Sequence, residues 1–348
     1  MRSPQRTPQA HPSGQGLPAS TDALPAIRPW RATDHAARDP RNARCALSRG
    51  FGANLGTGAR GRVRGLGAAV SRLPDFLVVG AKKAGSTWLD HLLRSHPGVF
   101  LPAERKEVAY FDLFHDRGPA WYARFFRDAP PGALIGESTP EYLHYPDAAK
   151  RIERELPGAR LLAIVRNPID RAHSEWAHLV GKFAERRSFA ELVRDDPGLL
   201  AKGHYAEQLR RFPRALAEGR VKVLVFEECI ADPRSASREV AEFLGIDPRG
   251  FVADARPRNE SYVPRFPAAF ALLRACSDWL RAQDLDFAVN AAHRIGVRRL
   301  LGSRGRVPAL SSEDRASYRD FVLSQRQQIE ELLGRPVSAW GDAAREVA

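Results

Sequence analysis

At residues 76–87 the sequence reads FLVVGAKKAGST, and this segment gives the first indication of the fold. The four apolar residues before Gly80 predict a short buried strand. From about Gly85 the chain predicts a helix that ends before Pro97, because apolar residues recur at helical spacing, at Trp88, Leu89, Leu92 and Leu93. The chain therefore passes from a buried strand through a tight loop into a helix.

The alternation of strand and helix continues along the chain. Apolar runs predict further strands at about 133–135, 161–165 and 221–226. Helical patterns follow at about 168–180, 233–244, 266–282 and 312–333. Strands that alternate with helices favour a parallel sheet that is covered on both faces. The sequence thus predicts an α/β fold in a single domain, with a P-loop-like parallel sheet flanked by helices on both faces.

The loop between the first strand and its helix has the composition of an anion-binding loop. Gly80 and Gly85 are spaced as in GxxxxGK[ST], but Ser86 follows Gly85 directly, and the lysines lie inside the loop at Lys82 and Lys83. Glycine lets the backbone approach an anion, and the start of a helix favours negative charge. Loops for nucleotide triphosphates combine their Lys with Mg²⁺, so the displaced lysine indicates an anion held without a metal. The alternative is a glycine turn with solvated lysines, and Lys82 either adds to the positive field or is solvated.

A second motif stands where another predicted strand ends. Arg166 follows the strand at 161–165, and Ser174 lies about two helical turns further along. The carboxyl ends of parallel strands share one edge of the sheet, so both residues are placed to face one anion. Arginine binds phosphate through paired hydrogen bonds. Taken singly, Arg166 is also compatible with an ordinary ion pair, and Ser174 with a serine on a helix surface.

The positive charge of the chain is concentrated near its start. The 348 residues carry a formal net charge of +13, and residues 1–70 alone hold 11 Arg against 3 Asp. Pro, Gly, Ser, Ala and Arg dominate this segment, which predicts a disordered basic extension at 1–70 before a folded domain at 71–342. The chain has only seven Lys, which indicates an arginine bias from a GC-rich coding sequence. The charge therefore gives little support to nucleic-acid binding.

Cysteine, histidine and hydropathy patterns indicate the compartment of the protein and whether it binds a metal or spans a membrane. Cys45, Cys229 and Cys276 are scattered, which predicts a reducing, cytoplasmic location and no disulfide framework. The Cys and His residues show no metal-ligand spacing, so we expect no metal. The sequence contains no apolar run of about 18 residues and no secretory pattern, so we expect no membrane span.

In this order, the two motifs resemble those of the sulfotransferases that use 3′-phosphoadenylyl sulfate (PAPS). The sequence is most similar to the branch with the heparan sulfate sulfotransferase domains and their bacterial relatives. Further blocks resemble the same family at 106–112, 136–142, 203–212 and 332–340. The resemblance extends over about residues 73–340. The blocks in this order are together a specific signal of the family, whereas any one block alone is a weak signal.

The resemblance implies a role for each residue of the motifs. The segment Lys83-Ala84-Gly85-Ser86-Thr87 is similar to the family's 5′-phosphosulfate loop, and Arg166 and Ser174 to its 3′-phosphate motif. The implied reaction moves a sulfuryl group from PAPS, as co-substrate, to a hydroxyl or amine of an acceptor. Lys83 then stabilises the departing oxygen, and Glu107 is the implied base. The block at 136–142 is similar to one that lines the cleft.

Several points stay open at the level of sequence. Ser138 stands where some heparan sulfate enzymes carry a substrate-facing lysine, and 256–261 is the candidate for a late loop that contacts the nucleotide. A glycan, a lipid, a peptide and a small metabolite all stay open as acceptors, of which we favour a carbohydrate or a small metabolite, and the oligomeric state is not readable. The alternative bases are His115, His144, His173 and His178.

Three other functions compete with this interpretation. A P-loop kinase or nucleotide hydrolase requires a lysine directly before Ser86, where Gly85 stands. A nucleic-acid-binding protein would use the basic extension at 1–70. A catalytically inactive relative is the third alternative, and the presence of Lys83, Arg166 and Ser174 argues against it.

Overall fold

A five-stranded parallel sheet runs through the computed structural model, which describes residues 72–183, 185–252, 263–264, 267–294, 302–303 and 308–341. In chain order its strands are β1 Phe76–Gly80, β2 Val99–Phe100, β3 Leu134–Ser138, β4 Arg160–Val165 and β5 Val221–Val225. A separate antiparallel pair is formed by β6 Val263–Pro264 and β7 Gly302–Ser303. The predicted extension at 1–70 and the candidate late loop at 256–261 lie outside the described residues.

Helices follow the strands in the predicted alternation. In chain order they are α1 Ser86–Ser95, α2 Pro119–Ala123, α3 Pro146–Glu155, α4 Pro168–Phe183, α5 Phe189–Asp195, α6 Gly198–Ala201, α7 Tyr205–Leu209, α8 Pro213–Ala217, α9 Phe226–Ala231, α10 Pro233–Leu244, α11 Pro267–Ala282, α12 Asp286–Arg294, α13 Ser312–Ser317 and α14 Arg319–Leu333. Short 3₁₀ helices occur at His115–Arg117, Arg124–Phe126, Pro248–Gly250 and Ser338–Trp340. Of the helices in the described ranges, none is both long and apolar enough to cross a membrane.

Two predicted boundaries are wrong. The run at 221–226 predicts one strand, but β5 ends at Val225 and Phe226 already begins α9. Two acidic residues in the first turn of α9 favour a helix start there, because they complement its dipole. The pattern at 312–333 predicts one helix, but the chain leaves helical geometry at Tyr318, with φ −109° and ψ 14°, and two helices result.

Alternate residues of each strand face two different cores. In β1, Leu77 and Val79 contact one core, while Phe76 and Val78 contact the other. Side chains of α3, α7 and α14 close the first core, and those of α1 and α10 close the second. Trp88 is buried in the second core, as expected of a core residue. The predicted α/β sheet with helices on both faces is confirmed.

The strand order places β1 and β4 at the point where the chain changes direction across the sheet. The order is β2-β3-β1-β4-β5. After β1 the chain moves toward one edge, and after β4 toward the other. Directly beyond β1, the backbone N–H of Ala81 donates to the carbonyl of Ile164 in β4 at 2.7 Å. Open parallel sheets bind ligands at the carboxyl ends of such strands, and both predicted anion motifs begin there.

Gly136→Ala tests the packing between β1 and β3. A Cβ at Gly136 would lie 2.1 Å from Cζ of Phe76, its register partner in β1. Overpacking of this kind costs about 1–3 kcal/mol in free energy of unfolding, which urea denaturation measures. The matched control is Gly158→Ala, because no atom beyond the residue itself and its two chain neighbours lies within 4 Å of the added Cβ. Equal stability of the two variants would contradict the packing described here.

Candidate functional site

The loop after β1 presents the start of α1 without a capping side chain. Gly85 is the N-cap residue, and its φ of 106° and ψ of 9° are left-handed values that glycine adopts without strain. A Cβ at Gly85 would also lie 2.2 Å from Cδ2 of Phe226. Residue 85 offers no acceptor to the first-turn N–H groups, so the start of α1 favours an anion.

The two lysines of the loop lie in different environments. Lys83 has a left-handed backbone with φ 64°. Lys82 donates to Glu141, and its Nζ lies 3.7 Å from Oε1 of Glu175. Two carboxylates therefore compensate the charge of Lys82. The suggestion that Lys82 is solvated is therefore wrong, whereas its contribution to the positive field beside the loop stays a prediction.

Lys82 belongs to a buried charge cluster that the sequence analysis missed. We define this cluster as Lys82, Glu141, Arg171, Glu175 and Lys202. Glu175 accepts from Nη1 of Arg171 at 2.6 Å and from Nζ of Lys202 at 2.7 Å. The five residues come from the loop after β1, the turn after β3, helix α4 and the segment between α6 and α7. The cluster therefore holds these four parts of the chain against one another.

The buried charge cluster keeps Glu175 ionised. Burial raises the pKa of this carboxyl, but attraction from Lys202, Arg171 and Lys82 outweighs that effect and holds the pKa well below the ordinary 4.5. Burial also opposes the charge of Lys202, yet Glu175 and Glu141 raise its pKa. Three cations meet two carboxylates, so the cluster keeps a net positive charge beside the loop.

Arg166 lies directly after β4, at the same edge of the sheet as the loop. Its guanidinium carbon stands 5.3 Å from the centroid of the Phe226 ring. Within the described ranges Arg166 forms no ion pair, and its guanidinium attracts the nearby carboxylate of Glu227. The same ring fills the space that a side chain at Gly85 would need. One aromatic side chain thus separates the glycine loop from Arg166.

Two side chains bind the backbone of this second motif, and a third binds one of those two. The hydroxyl of Tyr205 donates to the carbonyl of Arg166 at 2.8 Å. One oxygen of Glu227 accepts from the backbone N–H of Asn167 at 2.9 Å, and the other from Nε1 of Trp340 at 3.0 Å. Burial raises the pKa of the Glu227 carboxyl. Tyr205 and Trp340 lie in blocks that resemble the family. Glu227 was missed, because the predicted strand at 221–226 runs past the end of β5 and leaves out the start of α9.

Ser174 lies in the second turn of α4, half-buried and one residue before Glu175. Arg166 and Ser174 are thus near the same end of α4, as predicted. That both contact one anion stays a prediction.

Glu107 is exposed on the segment between β2 and α2. Hydrogen bonds from the backbone fix the segment just beyond it. The N–H of Ala109 donates to Oγ1 of Thr139 at 3.2 Å, and the N–H of Tyr110 donates to the hydroxyl of Tyr142 at 2.9 Å. The predicted base therefore extends from a segment that is attached to the end of β3.

Glu137 orients both hydroxyls. Its carboxylate is fully buried and accepts from Thr139, from Tyr142 at 2.8 Å and from Tyr122 at 2.6 Å. A hydroxyl has one proton, so donation to Glu137 leaves its oxygen to accept a backbone N–H. Burial raises the pKa of Glu137, and these hydrogen bonds oppose the rise. Glu137 thus supports the Glu107 segment from inside and does not line the cleft.

The four histidines considered as alternative bases have their own surroundings in the structure. Nε2 of His115 lies 2.7 Å from Glu155, and that of His173 lies 3.0 Å from the carbonyl of Pro308. Burial lowers the pKa of His173. His144 is buried. The parts of the chain that the structure describes contain no group of three or more His, Cys, Asp or Glu residues that could hold a metal ion.

Comparison with known proteins identifies the family. Residues 73–258 match the sulfotransferase domain family, and this match covers more than half of the chain. The chain belongs to that family. The two anion motifs at the ends of β1 and β4 lie within the matched region.

Individual relatives share part of their length with this chain. Heparan sulfate glucosamine 3-O-sulfotransferase 6 of Mus musculus is 33% identical over 183 residues, which are 50% of this chain and 53% of the relative. Bifunctional heparan sulfate N-deacetylase/N-sulfotransferase 2 of Bos taurus is 26% identical over 296 residues, 77% of this chain and 31% of the relative. The chain spans about half the length of the first relative and about a third of the second.

A solved structure shares the fold. A crystal structure of a sulfotransferase from Alicyclobacillus acidocaldarius has a TM-score of 0.58 and 25% sequence identity, and the match covers 78% of this chain and 100% of that one. The likeness agrees with the α/β fold predicted from the sequence.

Glu175→Gln tests the buried charge cluster. The variant leaves Arg171 and Lys202 buried without their carboxylate, so the free energy of unfolding should fall by about 3–5 kcal/mol at neutral pH. Because the pKa of Glu175 is lowered on folding, its stabilising contribution is complete above the ordinary 4.5 and is lost progressively as the pH falls from that value through the lowered pKa of the folded state. Urea denaturation between about pH 7 and pH 3 should show the difference from wild type shrinking.

The matched control is Glu218→Gln, which removes an exposed ion pair with Arg220. Its effect should stay below about 1 kcal/mol. A difference for Glu175→Gln that does not change with pH would contradict the account of the cluster.

Proposed function

We propose that the protein is a PAPS-dependent sulfotransferase, which moves a sulfuryl group from PAPS to a hydroxyl or amine of an acceptor. The observation that carries the proposal is the placement of two anion motifs beside the β1–β4 switch point. An adenosine with phosphate groups at both its 3′ and 5′ positions offers two anions to such a pair. Membership of the sulfotransferase family supports the same activity.

The residues at the site fit this co-substrate. The 5′ anion meets the uncapped start of α1, where Ser86 and Thr87 supply hydroxyls. The 3′-phosphate is bound by Arg166 and Ser174. Arg166 distinguishes a 3′-phosphorylated nucleotide from one that lacks this phosphate.

Bound PAPS supplies the sulfuryl group, whose sulfur forms a bond with the acceptor as its bond to the 5′-phosphate oxygen breaks. Glu107 accepts the proton of the attacking hydroxyl or amine. Lys83 stabilises the negative charge that develops on the departing oxygen. A kinase is less compatible with this loop, because Gly85 stands directly before Ser86 where a phosphate loop has its lysine.

The acceptor we propose is a carbohydrate or a small metabolite. The name of the mouse relative supports a carbohydrate, since it specifies a heparan sulfate glucosamine. Ser138 is 1% exposed, so the position at which some heparan sulfate enzymes carry a lysine offers no cation to a glycan here. We also propose a cytoplasmic location, which the free thiols of Cys229 and Cys276 support.

Calorimetry with 3′,5′-adenosine bisphosphate (PAP) and adenosine 5′-monophosphate tests this function. The full chain should bind PAP more tightly than the monophosphate, with or without Mg²⁺. Arg166→Ala should weaken PAP binding roughly 10- to 150-fold, because a charged hydrogen bond to the 3′-phosphate is lost. Arg249→Ala is the control, since that side chain is 89% exposed. Equal affinity of the wild-type chain for both nucleotides would contradict the proposal.

Glu107→Gln tests the base. With heparan sulfate or p-nitrophenol as probe acceptor, the rate of PAP release from PAPS should fall about 10²–10⁴-fold, because a positioned base is lost. The affinity for PAP should not change. The control is Glu104→Gln, on the same segment and also exposed. An equal loss of PAP binding would make Glu107 a structural residue.

A further inference from the structure

A lysine from outside the loop reaches the start of α1. Nζ of Lys106 donates to Oγ1 of Thr87 at 3.1 Å, and the contact is partly buried. Thr87 is the second residue of α1 and belongs to the segment that holds the 5′ anion in the proposed function. Lys106 lies on the segment after β2, 19 positions further along the chain. Two elements thus meet where the 5′ anion binds.

The charge of Lys106 is not compensated within the described ranges. No carboxylate there lies within ion-pair distance of its Nζ, and its hydrogen bond goes to a neutral hydroxyl. An ammonium group has three donors, so two are left after the bond to Thr87. Lys82 is the opposite case, because Glu141 and Glu175 both lie against its ammonium group. The loop lysine at 82 is therefore occupied, and the lysine at 106 is available to an anion.

The segment that carries Lys106 is held in place on its other side. The backbone N–H groups of Ala109 and Tyr110 donate to hydroxyls that Glu137 orients. Lys106 is itself half-buried, whereas the neighbouring Glu107 is exposed. A fixed backbone with a short reach to Thr87 loses little freedom when a ligand binds.

We infer that Lys106 binds the 5′-phosphosulfate of the co-substrate and acts there as a second cation beside Lys83, whereas Lys82 serves the buried charge cluster. The inference rests on the proposed function and adds a residue to it. As the bond between sulfur and the 5′-phosphate oxygen breaks, negative charge grows on that phosphate, and a second ammonium group stabilises it. One short segment then supplies both the base, Glu107, and a cation.

A comparison of two ligands tests the position of Lys106. PAP carries both phosphates, and adenosine 3′-monophosphate lacks the 5′ one. Lys106→Gln keeps a hydrogen-bond donor for Thr87 but removes the charge. Calorimetry should show at least about tenfold weaker binding of PAP by this variant and unchanged binding of adenosine 3′-monophosphate. Lys106→Arg should retain most of the affinity for PAP.

Two further variants separate a local charge effect from a structural one. Lys150→Met removes a lysine whose side chain is 78% exposed, and it should bind both ligands as the wild-type chain does. Lys82→Met disturbs the buried charge cluster and should lower the unfolding temperature, which Lys106→Gln should leave unchanged.

Three results would overturn the inference. Lys106→Gln that binds PAP as tightly as the wild-type chain would show that the charge is not used. Lys106→Gln that loses both ligands equally would show a structural role. A wild-type chain that binds neither ligand would overturn the proposed function together with the inference.

Discussion

Beside the glycine loop, Glu175 accepts charge-assisted hydrogen bonds from Arg171 and Lys202 and lies 3.7 Å from Lys82. These charges interact strongly because they are buried, and each would be costly without its partners. Glu175 is on α4, the helix of the 3′-phosphate motif, and Lys82 is in the loop of the 5′ motif. One ionic network therefore joins the elements that carry the two proposed phosphate sites.

The sequence was sufficient for four of the five strands of the sheet because their patterns are local, but it did not predict β2 at Val99–Phe100. Four apolar residues before Gly80 and a helical spacing after Gly85 define β1 and α1 without knowledge of the rest of the chain. The buried charge cluster could not be predicted in this way. Lys82 and Glu141 are 59 positions apart, and an isolated charged residue shows no sign of its partner. Glu227 was missed for a different reason, since the strand run at 221–226 extended past the true end of β5.

In the candidate site, buried residues fix the backbone, and more exposed residues carry the proposed chemical roles. Glu137 is fully buried and orients the hydroxyls that hold the segment of Glu107, while Glu107 itself is exposed. Arg166 is arranged similarly, because Tyr205 and Glu227 fix the backbone at Arg166 and Asn167, while the Arg166 side chain forms no ion pair among the described residues. Groups held in this way need little reorganisation when charge develops on a substrate. Substitutions of the buried supporting residues should change the free energy of unfolding. Substitutions of Glu107 or Arg166 should change the reaction rate or the ligand affinity.

A crystal structure of the chain with PAP would show where the two phosphates bind. We expect the 5′-phosphate at the first-turn N–H groups of α1 and beside Lys83. We expect the 3′-phosphate within hydrogen-bond distance of Arg166 and Ser174, with the adenosine crossing the carboxyl ends of β1 and β4. A nucleotide bound at another edge of the sheet, or with both phosphates on one motif, would contradict these expectations.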